Sequence, residues 1–309
     1  MSLVLDLIIL LLGFALLTKG ADYFIENSAS LAEEKGISPH VVGVTIVAFG
    51  TSLPELLVSI ISSFQGYNDL ALGNIVGSNI SNIGLVLAVS TFIFFYVLNT
   101  NIVPDDDANN DSYVMLLAVI LLFLFSQDKE ISQAEGMLFF VLYLIYIYWL
   151  YKKSSNNKLE VDDTENTSYL LLIGGLFALL LGAQLTVDSA VSIATSIGIS
   201  EIVIGLSVVA VGTSLPELAG TVSAARMGHK EIAVGNVIGS NIANIFLVMG
   251  VLATINPISV EDFVVKTTLP LLILLTIAAF GFIRIPLTRL SGSILFAFFV
   301  LFVYELTLI

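Results

Sequence analysis

Two glutamates close identical hexapeptides, Gly50-Thr51-Ser52-Leu53-Pro54-Glu55 and, 162 residues further on, Gly212-Thr213-Ser214-Leu215-Pro216-Glu217. Each hexapeptide lies inside an apolar stretch, so each carboxylate falls near the middle of a membrane span. A carboxylate at that depth is costly and normally faces a cavity and binds something. The glycine and proline flanking each motif mark a break in the helix, because proline denies a carbonyl one turn earlier its N–H partner. Carbonyls freed there, those of Ala48, Thr51, Ala210 and Thr213, point into the space that the glutamates share. Broken backbone at membrane depth is tolerated where it lines a cavity. In a soluble helix Ser52-Leu53-Pro54-Glu55 would read as a capping box. Here capping and cation binding are compatible, and both are expected of Ser52 and Ser214.

A second motif repeats at the same offset. Gly73-Asn74-Ile75-Val76-Gly77-Ser78-Asn79-Ile80-Ser81-Asn82-Ile83 recurs as Gly235-Asn236-Val237-Ile238-Gly239-Ser240-Asn241-Ile242-Ala243-Asn244-Ile245. Ser78 and Asn82, like Ser240 and Asn244, are i,i+4 pairs on one helix face. They can hydrogen-bond between helices while Gly73, Gly77, Gly235 and Gly239 allow close approach, or they can bind an ion. Packing is the favoured reading for the glycines and ligation for the asparagines. The set then holds two carboxylates, two amides, four hydroxyls and several carbonyls. All are hard oxygen donors, which suit Ca²⁺ or Na⁺ better than zinc or copper, and Mg²⁺ less well because it sheds water reluctantly. Two like charges in a low dielectric need a dication, two monocations or two protons beside them. One cation can therefore leave only as another arrives.

The elements that must position these residues follow from composition. Of 309 residues 57% are hydrophobic and only 12% charged, about half the charge of a soluble domain. A balance of 11 Lys+Arg against 25 Asp+Glu has the wrong sign for nucleic acid. The absence of cysteine excludes disulfides and thiolate zinc sites, and the two histidines, His40 and His229, are too few for a His-rich metal site. Ten apolar segments are expected near 2–19, 39–65, 70–98, 112–126, 132–151, 168–195, 201–226, 231–255, 262–283 and 287–308. The first lacks the basic start and small-residue cleavage site of a signal peptide and should stay as a helix. Nine of the 11 basic residues collect on the side holding the loops after spans 1, 3, 5, 7 and 9, and only Lys129 and Lys266 on the other. This bias puts the first side in the cytoplasm and both termini outside. The acidic patches at 105–107 and 160–163 then read as solvated cytoplasmic loops, and 105–111 lacks the glycine and closing glutamate of an EF-hand.

A gapless match of about 13–88 onto 175–250 makes spans 1–3 the counterpart of spans 6–8. Five spans per copy turn the second copy upside down. The expected fold is an all-α integral membrane protein of ten transmembrane helices in two inverted five-helix repeats, an architecture of transporters whose sites lie near the midplane. The repeats occupy 1–151 (motif 43–83) and 169–309 (motif 205–245), joined by an acidic cytoplasmic linker at 152–168.

These paired motifs resemble the alpha-repeats of the cation/calcium exchanger superfamily, prokaryotic sodium/calcium exchangers in particular, and the resemblance covers most of the chain. It implies that Ca²⁺ is held by Glu55 and Glu217 with the carbonyls of Thr51 and Thr213. Sodium would use the same carboxylates with Ala48, Ser52, Ser78, Ala210, Ser214 and Ser240. It also implies that spans 1 and 6 slide past a core of the other eight. At Asn244, matching Asn82, potassium-dependent and many prokaryotic members have Asp, so the asparagine argues against potassium coupling and favours sodium. The expected function is Na⁺/Ca²⁺ antiport by alternating access in the plasma membrane, not an enzymatic activity. The transported ions are Ca²⁺ and Na⁺. No cofactor, nucleic acid or protein partner is expected beyond the lipid bilayer. A proton/calcium exchanger is the nearest alternative and a cation channel a more remote one. A serine protease is disfavoured because both histidines map near span ends, and a primary pump because no P-loop is present.

Overall fold

The computed structural model describes residues 3–65, 68–156, 167–197 and 210–306. Helices α1 (Leu3–Lys35), α2 (Pro39–Thr51), α3 (Leu53–Phe64), α4 (Leu70–Tyr96), α5 (Asp106–Asp128) and α6 (Gln133–Ser154) are followed by α7 (Tyr169–Ser196), α8 (Leu215–Met227), α9 (Lys230–Ile255), α10 (Val264–Phe282) and α11 (Arg289–Leu306). Among the described residues eight helices are long and apolar enough to cross a membrane, nine if α2 and α3, bent by 43°, count as one span. Residues 201–209 of the expected seventh span lie outside the described residues; Ala210–Gly212 and α8 represent the rest of it.

Two expected boundaries need correction. The first span was expected to end at 19, but α1 continues to Lys35. The apolar run stops there, yet Ala21, Phe24, Ile25, Ser28 and Ala32 still bury one face, so packing carries the helix on after hydropathy fails. The fourth was expected from 112, but α5 begins at Asp106. The Asp105 carboxylate accepts a 2.7 Å bond from the Ala108 N–H, and Asp106 and Asp107 occupy the first turn, where the helix dipole favours negative charge. The acidic stretch is thus a helix start rather than a solvated loop. Asp111, a turn further on, is buried and shares a 2.8 Å hydrogen bond with the Nε2 of buried His40.

Connections that follow spans of like parity meet. Ile102, after α4, bridges Leu287, after α10, and the Thr167 N–H donates to Glu34 at the end of α1. The loops after α5 and α9 pair as two short antiparallel strands, β1 (Glu130–Ile131) and β2 (Ile258–Ser259). Beside them Lys129 and Lys266 contact Asp262 and hold its exposed carboxyl down to about 2.

Glycines set the helix contacts that shape the centre. A Cβ on Gly13 would lie 2.8 Å from Thr186 Oγ1 and 3.1 Å from the Gly182 carbonyl oxygen, and one on Gly20 would strike the Leu179 backbone and lie 2.8 Å from the Gly175 carbonyl oxygen. Gly13 therefore meets Gly182 and Gly20 meets Gly175, so α1 and α7 run antiparallel with their backbones in contact. Likewise a Cβ on Gly43 would fall 2.8 Å from the Ile232 carbonyl oxygen, and one on Gly239 would strike that of Val44. Helix α2 is thereby pressed onto α9.

Candidate cation site

In both repeats the chain leaves the helix at the serine of the hexapeptide. Ser52 has φ −84°, ψ 6° and Ser214 φ −90°, ψ 7°, the sparsely populated bridge region where the helical progression stops. Proline follows two residues later, inside the first turn of α3 and α8, where its missing N–H costs nothing. The expected capping boxes do not form. Neither serine makes a side-chain cap bond. Ser52 Oγ instead donates to Glu217 Oε1 of the other repeat at 2.8 Å, a charge-assisted bond of the stronger kind.

The two carboxylates are neighbours, with Ser78 beside Glu55 and Thr51 beside Glu217. Both are fully buried, as are Ala48, Thr51, Ser78, Asn82, Ser240 and Asn244, while Ser52 and Ser214 are nearly so. Ser240 Oγ lies 3.5 Å from the Ala48 carbonyl oxygen, which ties α9 to the break in α2. That carbonyl was expected to be free, but it already accepts from the Ser52 N–H at 3.0 Å and lies 3.3 Å from Thr51 Oγ1. Ala210 stands at the start of its short helical turn. Thr213 is half-buried on the wall of a cavity of about 370 Å³, together with Pro54, Gly212 and Pro216. Asn82 and Asn244 sit within π-helical segments, Asn82–Leu87 and Ala243–Met249, a local widening frequent at functional sites.

Many buried oxygens here are without a partner. Among the described residues, both oxygens of Glu55, Oε2 of Glu217, Ser78 Oγ, Ser214 Oγ and both polar atoms of Asn82 and of Asn244 make no hydrogen bond. Buried polar side chains are overwhelmingly paired in native proteins. Two carboxylates without a cationic side chain, ringed by idle hydroxyl and amide oxygens, make a donor set suited to a hard cation. Among the described residues no group of three or more His, Asp or Glu side chains is arranged to hold a metal ion, so such a cation would depend on neutral oxygens.

The site also has braces that hydropathy and donor chemistry alone do not single out. Asn74 Nδ2 donates to Ser59 Oγ at 3.0 Å and lies 3.4 Å from the Glu55 carbonyl oxygen. Asn236 Nδ2 donates to Thr221 Oγ1 at 2.8 Å and lies 3.4 Å from that of Glu217. The signal was present, since Asn74 and Asn236, and Ser59 and Thr221, obey the same repeat offset as the glutamates. Asn79 and Asn241 form a further pair, each with its Nδ2 on the carbonyl one turn back and its Oδ1 without a partner.

Comparison with known proteins identifies the family. The family model described as sodium/calcium exchanger protein matches residues 5–152 and 167–308. Sodium/calcium exchanger MaX1 of Methanosarcina acetivorans is 34% identical over 97% of this chain and 98% of its own. Inner membrane protein YrbG of Escherichia coli is 32% identical over 87% and 86%. A solved structure of the sodium-calcium exchanger NCX_Mj, soaked with 100 mM Na⁺ and 10 mM Sr²⁺, superposes with a TM-score of 0.88 at 33% identity, covering 98% of this chain and 99% of that one. With both halves matched by the family model and full-length relatives above 30% identity, the chain belongs to the sodium/calcium exchanger protein family.

Proposed function

We propose that this multi-pass membrane protein exchanges Na⁺ for Ca²⁺ across the plasma membrane by alternating access, with Glu55 and Glu217 as the charged ligands. The observation that carries the reading is the buried cluster of partnerless oxygens around two neighbouring carboxylates. Ca²⁺ is held by both carboxylates with the carbonyls of Thr51 and Thr213. Na⁺ ions use the same carboxylates with Ser52, Ser78, Ser214, Ser240 and the carbonyls of Ala48 and Ala210; Asn82 and Asn244 complete the oxygen shell. An empty site would hold two bare like charges, so release of one ion is coupled to entry of the other. Ten spans form two inverted halves, 1–151 and 169–309, joined by the linker 152–168, with both termini extracellular. The antiparallel contact of α1 and α7 and the pairing of connections that follow spans of like parity support that arrangement.

The test is Ca²⁺ uptake into proteoliposomes loaded with Na⁺, with K⁺-loaded and pH-jump controls. Uptake should follow the outward Na⁺ gradient and ignore external K⁺, as the neutral Asn244 requires. Uptake driven by the pH jump alone would overturn the sodium assignment, and a strict K⁺ requirement would overturn the role given to Asn244.

A further inference from the structure

Helix α7 contains a window of mean hydropathy 2.2, yet it carries Asp188 eight residues before its end at Ser196. At 1.5 Å per residue this carboxylate lies about 12 Å inside the end of the helix. It is exposed, Gln184 Nε2 donates to its Oδ1 at 2.8 Å, and among the described residues no lysine or arginine pairs with it. A lone carboxylate at that depth would be costly against lipid. It lines instead the cavity of about 370 Å³ whose opposite wall is Pro54, Gly212, Thr213 and Pro216. The buried glutamates lie behind that wall, with no surface in the cavity.

We propose that Asp188, steadied by Gln184, is a docking carboxylate that captures a hydrated Na⁺ or Ca²⁺ in this vestibule before it passes the Thr213 turn. Gln184 occupies one oxygen and leaves the other for the ion's water shell. Apart from Thr213 the remaining wall is apolar, and a charge among low-dielectric walls concentrates counter-ions and speeds their capture. The position is repeated. Glu26 on α1 is its counterpart by the repeat offset, is also acidic and exposed, and stands outside this cavity. By the basic-residue bias the Ser196 end of α7 is extracellular; in this the inference rests on the function proposed above.

The test is the apparent KM for external Ca²⁺ in right-side-out vesicles. In D188N it should rise about fivefold at low ionic strength, while the maximal rate changes far less, because steering acts on capture. Choline chloride should close the gap as the Debye length falls to about 3 Å near 1 M. D188E should restore the KM, and E26Q should leave it as in the unaltered chain. A KM in D188N equal to that of the unaltered chain at low ionic strength would overturn the proposal. A second measurement is independent of transport. The chain has no cysteine, so V191C places a single thiol in the same cavity. Its reaction with a cationic thiol reagent should outpace that with an anionic one of equal size several-fold, and D188N should remove the preference. Equal rates with Asp188 present would overturn the docking role even if exchange itself proved absent, an outcome that would condemn the functional reading separately.

Discussion

The two repeats carry matching motifs at one constant offset and differ in conformation at the candidate site. In the first, the Ser52 N–H bonds to Ala48, four residues back; in the second, the Ser214 N–H bonds to Val211, three back. Ser52 Oγ reaches across to Glu217, but Ser214 Oγ and Glu55 have no partner. Thr51 is buried and its Oγ1 donates to Asn236 Oδ1 at 3.1 Å, whereas its counterpart Thr213 faces the vestibule. Two inverted halves in the same conformation would leave both mouths equally open or shut. On the alternating-access reading proposed above, the difference between them marks which mouth has access, so the repeat shows in the motifs and the state in their departures from symmetry.

The largest expected effect tests what the halves share. Glu55→Gln and Glu217→Gln should each lower Na⁺-driven Ca²⁺ uptake by at least about 100-fold, since removing one partner from a buried charge set costs about 3–5 kcal/mol. Normal uptake by either variant would remove that carboxylate from the site and end the two-charge account. Next come the braces. Asn236→Ala should destabilise the ion-free protein in detergent more than Asn74→Ala, by about 1 kcal/mol, because Asn236 alone also accepts from Thr51 and a net hydrogen bond contributes about that much. Equal melting shifts would show the extra bond to be idle. The serines sharpen the comparison further. Ser52→Ala removes a hydrogen bond to a carboxylate and should cost roughly 1 kcal/mol in the ion-free state, at the low end for charged acceptors. Ser214→Ala removes none and should be close to neutral there. With ion bound the two should converge if both hydroxyls act as ligands.

Much of this was legible in the residues. Glu55, Glu217 and the Ser78/Asn82 and Ser240/Asn244 pairs announce themselves because polar groups at fixed spacing in apolar segments have few structural uses. The antiparallel α1/α7 contact was implicit in Gly20 and Gly182 sharing the repeat offset. The second half of α1 escaped because its helix is held by packing, which an apolar-run criterion cannot see. Asp105–Asp111 escaped because acidic residues favour both solvated loops and helix starts, and only the Ala108 N–H and His40 decide between them. The failed capping boxes show the same limit: Ser52-Leu53-Pro54-Glu55 specifies a cap locally, and a carboxylate 165 residues away takes the hydroxyl instead.

The smallest effect concerns the far ends of the α1/α7 pair. Ser223 Oγ on α8 donates to Asp22 Oδ1 on α1 at 2.7 Å, with Arg226 and Lys19 each 3.9 Å from the same carboxylate. The counterparts by the repeat offset are Ile61, Gln184, Phe64 and Leu181, three of them apolar and exposed. A polar latch therefore closes one end of the α1/α7 unit, and the equivalent at the other end cannot form, because Ile61 has nothing to donate to Gln184. On the alternating-access reading the two access states then differ by roughly the strength of this bond. Asp22 is partly exposed, so water weakens it, and about 1 kcal/mol is the appropriate scale, or about fivefold in the balance of states. Ser223→Ala and Asp22→Asn should each raise the reactivity of a cysteine introduced at the Asp22 end by about that factor and lower it at Val191. Ile61→Ala should do neither. If the Ile61 and Ser223 variants shifted accessibility alike, the latch would be no more than packing, and the preference for this open state would have to come from the motifs themselves.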